Sequence, residues 1–528
     1  MTRQIVIAAL LGASSLAIAA PALAQEAPAE PVVEQTEPDT SDAAADAAIA
    51  AAQPVDEAQA KIELLTEQVA ALQASLAAIQ AQMTATTPSW KGAPLLEDKE
   101  NGWSFKPRGR IQYDAGFVGN PEDDIVSRNL GFNSRVRRFR LGAEGTIPGG
   151  FGYKAEVDFA GASVGFGDVI ITYQPKGKPW NVTIGNHETF NGLEQMSSSR
   201  FLSFLERAAF DDAFINTRRI GLSAGYANEA GTFRINGGLF AAHSIDSSLD
   251  NDGWIAATRA VYSPMSGSNQ LHFGANIQHR NFQSNNGTTA ASSSGQPSTN
   301  QLARYRARPF SQLTDVRFVD TQNFAAKSDT IFGLEAAGIF KSLHLVAEAQ
   351  YLTTNAYDEG QTIAAGDPLD LFPAASQFVP DGDPNFWGGY VEAGYYFTGE
   401  TRGYKNGLWD RTKVLKPFSK GGWGALQLNA RLDYLDLDSS KLKSGCSNNF
   451  VTGVCTGVAQ LQKGGKQLGF LASLVWLPED YMRFYLQASH ARITGGPFAA
   501  TVVSVSGDPV DERHYSSSSV QARAQVDF

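Results

Sequence analysis

The sequence predicts an all-β fold, a transmembrane antiparallel β-barrel of about sixteen strands preceded by a short N-terminal α-helical coiled coil. Three observations carry that expectation. The chain opens on an export signal, its apolar periodicity changes from 3.5 to 2 near Trp103, and its last strand alternates apolar and polar side chains up to the terminal Phe528.

Arg3 supplies the charge of the signal, Ile5 to Ala20 its apolar run, and Ala22-Leu23-Ala24 a small-residue cleavage pattern. Residues 1–24 are therefore expected to be a signal peptide. No later segment approaches the roughly 20 continuous apolar residues that a membrane helix needs, so any further crossing must be made by strands. A chain with 51 Gly, 10% aromatic residues and 2 Cys suits a barrel better than a disulfide scaffold. Its net charge of -11 lacks the basic footprint that nucleic acid requires.

Residues 25–55 are Ala, Glu, Asp and Pro with few large apolar side chains, and read as a flexible linker. Over residues 56–87, Ile62, Leu65, Val69, Leu72, Leu76, Ile79 and Met83 recur at spacings of three and four, the seam of a coiled coil. A single amphipathic helix is the alternative. Asp56 with Gln59 offers a capping start, Pro88 marks the stop, and residues 88–102 form a second linker.

The barrel is expected over residues 103–528. Ile111, Tyr113, Ala115 and Phe117 oppose Arg108, Arg110, Gln112 and Asp114; Leu271, Phe273, Ala275 and Ile277 oppose His272, Asn276 and Gln278. Late in the chain, Leu426, Leu428, Ala430 and Leu432 oppose Gln427, Asn429, Arg431 and Asp433. Such strands fit a wall with lipid outside and water inside. Short turns are expected near 147–150, 174–178, 228–231, 264–268, 341–342 and 478–480. Long loops are expected at 187–215, 282–327, 353–386, 437–464 and 494–513. Residues 399–421 break the pattern as a long connection on the short-turn side.

Parity sends Arg108, Arg110, Arg138 and Arg140 to the lumen, with Arg219 and Arg234 on later strands, and puts Arg135 and Arg137 at the rim or in the loop. This arginine wall reads either as an anion path or as a network paired with Glu144, Glu156 and Asp158. The aromatic loop after His187 is a candidate constriction whose ionisable groups are His187, Glu188, Glu194, Arg200, Glu206 and Arg207. Arg304, Arg306 and Arg308 fit either anion capture at the mouth or contact with lipopolysaccharide. Cys446 and Cys455 lie in one outer loop, where a local disulfide is expected outside the cytoplasm. The seven histidines are scattered without triad spacing, so no enzyme activity, metal or cofactor is expected.

Several ordered stretches resemble the phosphate-selective porin O and P family of outer-membrane porins. They include Arg138-Phe139-Arg140-Leu141-Gly142, Lys154-Ala155-Glu156-Val157-Asp158-Phe159-Ala160, Ser198-Ser199-Arg200-Phe201 leading to Glu206-Arg207-Ala208, Phe397-Thr398-Gly399-Glu400-Thr401-Arg402-Gly403-Tyr404, and Arg523-Ala524-Gln525-Val526-Asp527-Phe528. The resemblance implies a homotrimer of sixteen-stranded barrels in the bacterial outer membrane, each with an inward third loop and an arginine- and lysine-lined channel for small anions such as phosphate. It also implies the long connection at 399–421. One departure stands out: after the strand entering the third loop the chain reads Gly185-Asn186-His187-Glu188, where family members commonly carry a lysine. A carboxylate at a constriction repels phosphate.

The leading expectation is passive diffusion of small, anionic, phosphate-like solutes, with the coiled coil in the periplasm and outer-membrane lipid and lipopolysaccharide as surroundings. The alternative is an envelope-tethering structural barrel with a non-selective pore. An energy-coupled receptor needs a plug domain, and about fifteen residues between Pro88 and the first strand are too few for one.

Overall fold

The computed structural model describes residues 54–528 apart from 87–88, 91, 122–124, 127, 162–163, 215–216, 243–244, 246–252, 283–301, 357–379, 443, 449–454, 461–462 and 503–507. The expected signal peptide and nearly all of the first linker lie outside these residues. The chain divides into two units, one ending at Ala85 and one beginning at Thr86.

In the first unit, α1 spans Pro54–Thr86. Ile62, Leu65, Val69, Leu72 and Leu76 are all exposed along it, while the side chains of Ile79 and Met83 lie outside the described residues. The seam is thus present on a helix that buries none of these described side chains.

The second unit is a barrel of sixteen antiparallel strands among the described residues. They are β1 (Trp103–Val118), β2 (Gly131–Ile147), β3 (Phe151–Asp158), β4 (Gly165–Tyr173), β5 (Trp180–His187), β6 (Arg219–Ala227), β7 (Phe233–Ala241) and β8 (Gly253–Tyr262). The second half comprises β9 (Asn269–Phe282), β10 (Phe324–Phe340), β11 (Leu343–Ala356), β12 (Asn385–Tyr396), β13 (Ala425–Asp436), β14 (Lys466–Glu479), β15 (Met482–Thr494) and β16 (His514–Asp527). Each pairs with its neighbour in sequence, and β16 closes on β1 with Val520 opposite Phe117 and Asp527 opposite Arg110. Closure leaves no unpaired edge, which is what lets a sheet cross lipid. Within the expected second linker, Pro94–Asp98 pairs with the start of β1.

The alternation seen in the sequence becomes inside and outside. On β1, Ile111, Tyr113 and Phe117 are exposed to the surroundings while Arg110, Gln112 and Asp114 are buried in the lumen. Short turns close one end, as at Lys341-Ser342, and connections such as 188–218 and 283–323 the other. A bulge changes one expectation: Gln112 opposes Arg138 but Tyr113 opposes Val136, so Arg137 is an extra residue in β2. A bulge breaks side-chain alternation. Arg137 therefore joins Arg138 inside the barrel instead of lying at the rim or in the loop.

A second difference lies in the lumen itself. On β10 to β15 the inward positions include Ile331, Ile339, Val346, Leu352, Phe386, Leu435, Leu471 and Ile493, all buried. Phe204, Phe210, Phe214, Tyr305, Phe318 and Trp409 from three connections pack onto them. The connections are the third loop 188–218, with α2 (Leu193–Met196) and α3 (Ala209–Phe214), the loop before β10, and the long connection after β12. This side of the lumen is filled by aromatic and aliphatic side chains together with buried ion pairs, and open space is left along β1 to β5.

Candidate functional site: a guanidinium-lined path through the lumen

Three cavities adjoin one another along that open side. An outer one of about 470 Å³ is bordered by Arg128, Arg135 and Arg308; a middle one of about 250 Å³ shares Arg308 and Gln312 with it. An inner one of about 540 Å³ shares Arg138, Arg140, Glu188, Arg207 and Arg218 with the middle one. Those five residues form the neck. The three linings together hold thirteen Lys and Arg side chains against eight carboxylates, the reverse of the acidic balance of the whole chain.

Most of the arginine wall is paired. Arg108 meets Glu144, and Arg140 donates to Asp158 at 2.7 Å and Glu156 at 2.8 Å. Arg110 lies 3.5 Å from Glu156 and donates to Ser199 Oγ at 2.6 Å, tying the third loop to β1. Arg138 differs: its partner is the neutral Gln112 Oε1 at 2.8 Å, and it has no carboxylate partner among the described residues. Arg219 donates to the Ala242 carbonyl at 2.8 Å and Arg234 to Asn406 at 2.9 Å, and neither borders the three cavities. The sequence grouped six arginines; the structure brings four together and sets two apart.

The third loop is folded inward and seated on charge. Arg137 grips Glu206 through Nε at 2.8 Å and Nη2 at 2.9 Å, and Arg523 reaches the same carboxylate at 3.0 Å. Burial pushes the Glu206 carboxyl up, but Arg137, Arg523 and Arg138 outweigh it and hold it well below the usual carboxylate range. Glu194 pairs with Arg431, which also holds Glu392 and lies 4.2 Å from the Tyr390 ring centre. Arg200 lies 3.7 Å from Asp527. Arg207 donates to the carbonyls of Glu194, Gln195 and Ser197 at 2.9 to 3.2 Å, bracing the end of α2 without a carboxylate partner among the described residues.

Glu188, the departure noted in the sequence, is engaged by Arg218 at 2.8 Å. The two residues sit at opposite ends of the third loop, so the pair clasps its base and the carboxylate is neutralised where it stands. Arg218 and Lys154 both also meet Asp168. His187 contacts Ser223 Oγ through Nε2 at 2.7 Å and the Gly185 carbonyl through Nδ1 at 2.9 Å. Ser223 is buried and borders none of the three cavities, whereas His187 lines the inner one.

At the outer mouth, Arg304 pairs with Asp320 and Arg308 with Asp212 of α3. Arg308 lines the outer and middle cavities. Cys446 and Cys455 lie on adjoining short strands, opposite Val458 and Asn448, with their side chains outside the described residues. Parity missed Arg137 because of the bulge, and missed Arg218 because a loop residue carries no parity. Their adjacency, Arg137-Arg138 and Arg218-Arg219, was the available signal.

A closed sixteen-strand barrel with a polar, constricted lumen defines an outer-membrane porin. The chain belongs to the phosphate-selective porin O and P family, whose model matches residues 105–528. It is 36% identical over 407 residues to an uncharacterized protein of Caulobacter vibrioides, covering 75% of this chain and 70% of that one. Among solved structures it is similar to the anion-selective porin from Comamonas acidovorans, at 14% identity and a TM-score of 0.42 over 81% of this chain and 100% of that one. It is also similar to the trimer form of OmpT, an outer-membrane protein of Vibrio cholerae, at 10% identity and a TM-score of 0.42 over 81% of this chain and 100% of that one.

Proposed function

We propose that this porin passes small anionic solutes by diffusion through the eccentric path along β1 to β5, with the long-loop end facing the exterior. The observation that carries the reading is the neck, where Arg138 and Arg207 present guanidinium groups that make no salt bridge to any described carboxylate. A solute oxyanion entering the neck meets charge that most of the wall has already spent on its own carboxylates. Phosphate is one such solute, and the Glu188–Arg218 pair lessens the repulsion expected from that carboxylate. Of the candidate constriction residues, His187, Glu188, Arg200, Glu206 and Arg207 border the path, while Glu194 seats the loop through Arg431.

Assembly as a homotrimer extends this reading, as does a periplasmic coiled coil built from the exposed seam of α1. An envelope-tethering role for the linker and helix is compatible with a working pore. Bilayer recordings under a salt gradient test the main proposal. Wild type is expected to give an anion-selective reversal potential, and Arg138→Gln to lower anion preference about fivefold, the effect of one charge at about 4 Å in a water-like dielectric. Cation selectivity of the wild type, or no change in the variant, refutes the assignment of the path.

A further inference from the structure

The outer wall carries a feature that the path does not use. A trough of about 1130 Å³ crosses the lipid-facing side of β9 to β16. From Phe273 on β9 the cross-strand register runs through Ala347, Val391 and Phe470 to His490 on β15 and Ser518 on β16. Its floor is made by Ala393, Ala430, Ala472 and Ala488, which are successive direct partners on four strands. Short side chains in one row, flanked by Phe470 and Leu432, leave a furrow. Eight strands about 4.8 Å apart make it about 34 Å long, running across the strands and hence oblique to the barrel axis.

One end of the furrow is polar. His490 and Ser518 border it and hydrogen-bond through Nδ1 and Oγ at 2.9 Å. Beyond them on the same face lie Arg492, opposite Ser516, and His514, whose Nδ1 meets Thr494 Oγ1 at 2.8 Å. Both His490 and His514 are thereby held by one ring nitrogen, leaving the other without a hydrogen-bond partner among the described residues. Arg492 is exposed and has no carboxylate partner among the described residues. These groups stand next to the long connection 495–513, at the end taken above as exterior.

We propose that the furrow binds a phosphorylated lipid of the outer leaflet, its acyl chain along the alanine floor and its phosphate at Arg492, His490 and His514. Charge and shape choose this occupant over a second barrel. A flexible chain fills an oblique furrow one side chain deep, whereas a neighbouring barrel presents a convex ribbed wall. A rim of one arginine with imidazole and serine hydrogen-bonding groups matches a phosphate monoester, and an apolar lip would suffice for a protein neighbour.

The inference rests on the exterior placement of the long loops in the proposed function, and its test reads a different quantity. The full-length protein in detergent would be titrated with bis-phosphorylated lipid A and with its dephosphorylated form, binding being read by native mass spectrometry. Wild type is expected to prefer the phosphorylated lipid by at least about fivefold, the worth of one arginine beside an anionic headgroup. Arg492→Glu is expected to abolish that preference, and Ala488→Phe, which fills the floor, to weaken both lipids with conductance unchanged. Equal binding of the two lipids by wild type overturns the headgroup site. Undiminished lipid binding by Ala488→Phe, with or without loss of the oligomer, overturns the furrow as a lipid site, and dissociation would assign it to a second copy. Loss of anion selectivity in bilayers with lipid binding intact would instead strike the proposed function alone.

Discussion

Glu188 is legible in the sequence as a carboxylate in the wrong place for a phosphate channel, yet its meaning depends on Arg218, thirty positions away. As half of a clasp it joins the two ends of the third loop. Glu188→Lys would set a cation beside Arg218 and the neck arginines, removing a partly buried pair at a cost of order 2 kcal/mol. The expected outcome is a noisier channel with no gain in phosphate block, read by single-channel recording; stronger phosphate block with quiet conductance would contradict the clasp. Arg137 offers a pH test. Because Glu206 is held below its usual range, its contribution is present above the unfolded value of about 4.3 and is lost as pH falls through the lower folded value. Arg137→Ala should therefore destabilise most near neutral pH, by about 2 kcal/mol, and progressively less towards pH 3. Thermal melts across that range measure it.

At the scale of elements, the closing seam between β16 and β1 depends on one small residue. Gly109 and Phe528 exchange backbone hydrogen bonds of 3.1 and 3.0 Å, and a Cβ at Gly109 would lie 2.1 Å from the Phe528 ring. The last aromatic residue lies across the backbone of the first strand. Gly109→Val is expected to displace the ring and impair barrel closure, lowering the heat-modifiable folded fraction; a normal fraction would show that the ring can move away. The same strand illustrates how far periodicity reaches. Alternation assigned Arg108, Arg110 and Arg138 to the lumen correctly, because pleat geometry admits no other choice. It failed at Arg137, where one inserted residue in β2 resets the parity and no local residue pattern announces the bulge.

For the molecule as a whole, the consequence is a barrel only part of whose lumen is open. The inner hairpin formed by Tyr404–Lys405 and Leu408–Trp409 turns at Asn406 and Gly407, both at positive φ, as a tight two-residue turn requires. It is moored by Tyr404 OH to His272 Nδ1 at 2.6 Å, Arg259 to the Gly407 carbonyl at 3.1 Å, and the Trp409 amide to Ser197 Oγ at 3.0 Å. The hairpin thus meets the third loop from below and borders the inner cavity. Deleting residues 403–410 is expected to raise single-channel conductance while leaving anion preference, which resides at the neck, in place. Unchanged conductance would mean that the path narrows elsewhere.

The sequence by itself determined the barrel, its strand directions and the faces of nearly every strand, because a wall between lipid and water imposes a two-residue period that local chemistry must obey. Its phenylalanines made the third loop a candidate for folding inward, and the structure packs Phe204, Phe210 and Phe214 into the lumen. Only the tertiary structure decided that Ile331, Val346 and Phe386 point inward into the filled side of the lumen, which an alternating pattern treats as breaks in register. Only it decided which arginines remain without a salt bridge. Ion pairing joins side chains far apart in the chain, such as Arg137 with Glu206 and Arg431 with Glu194, so the charge left for a solute at Arg138 and Arg207 exists only after the fold has matched the neighbouring Arg108, Arg110, Arg137, Arg140 and Arg218 with carboxylates.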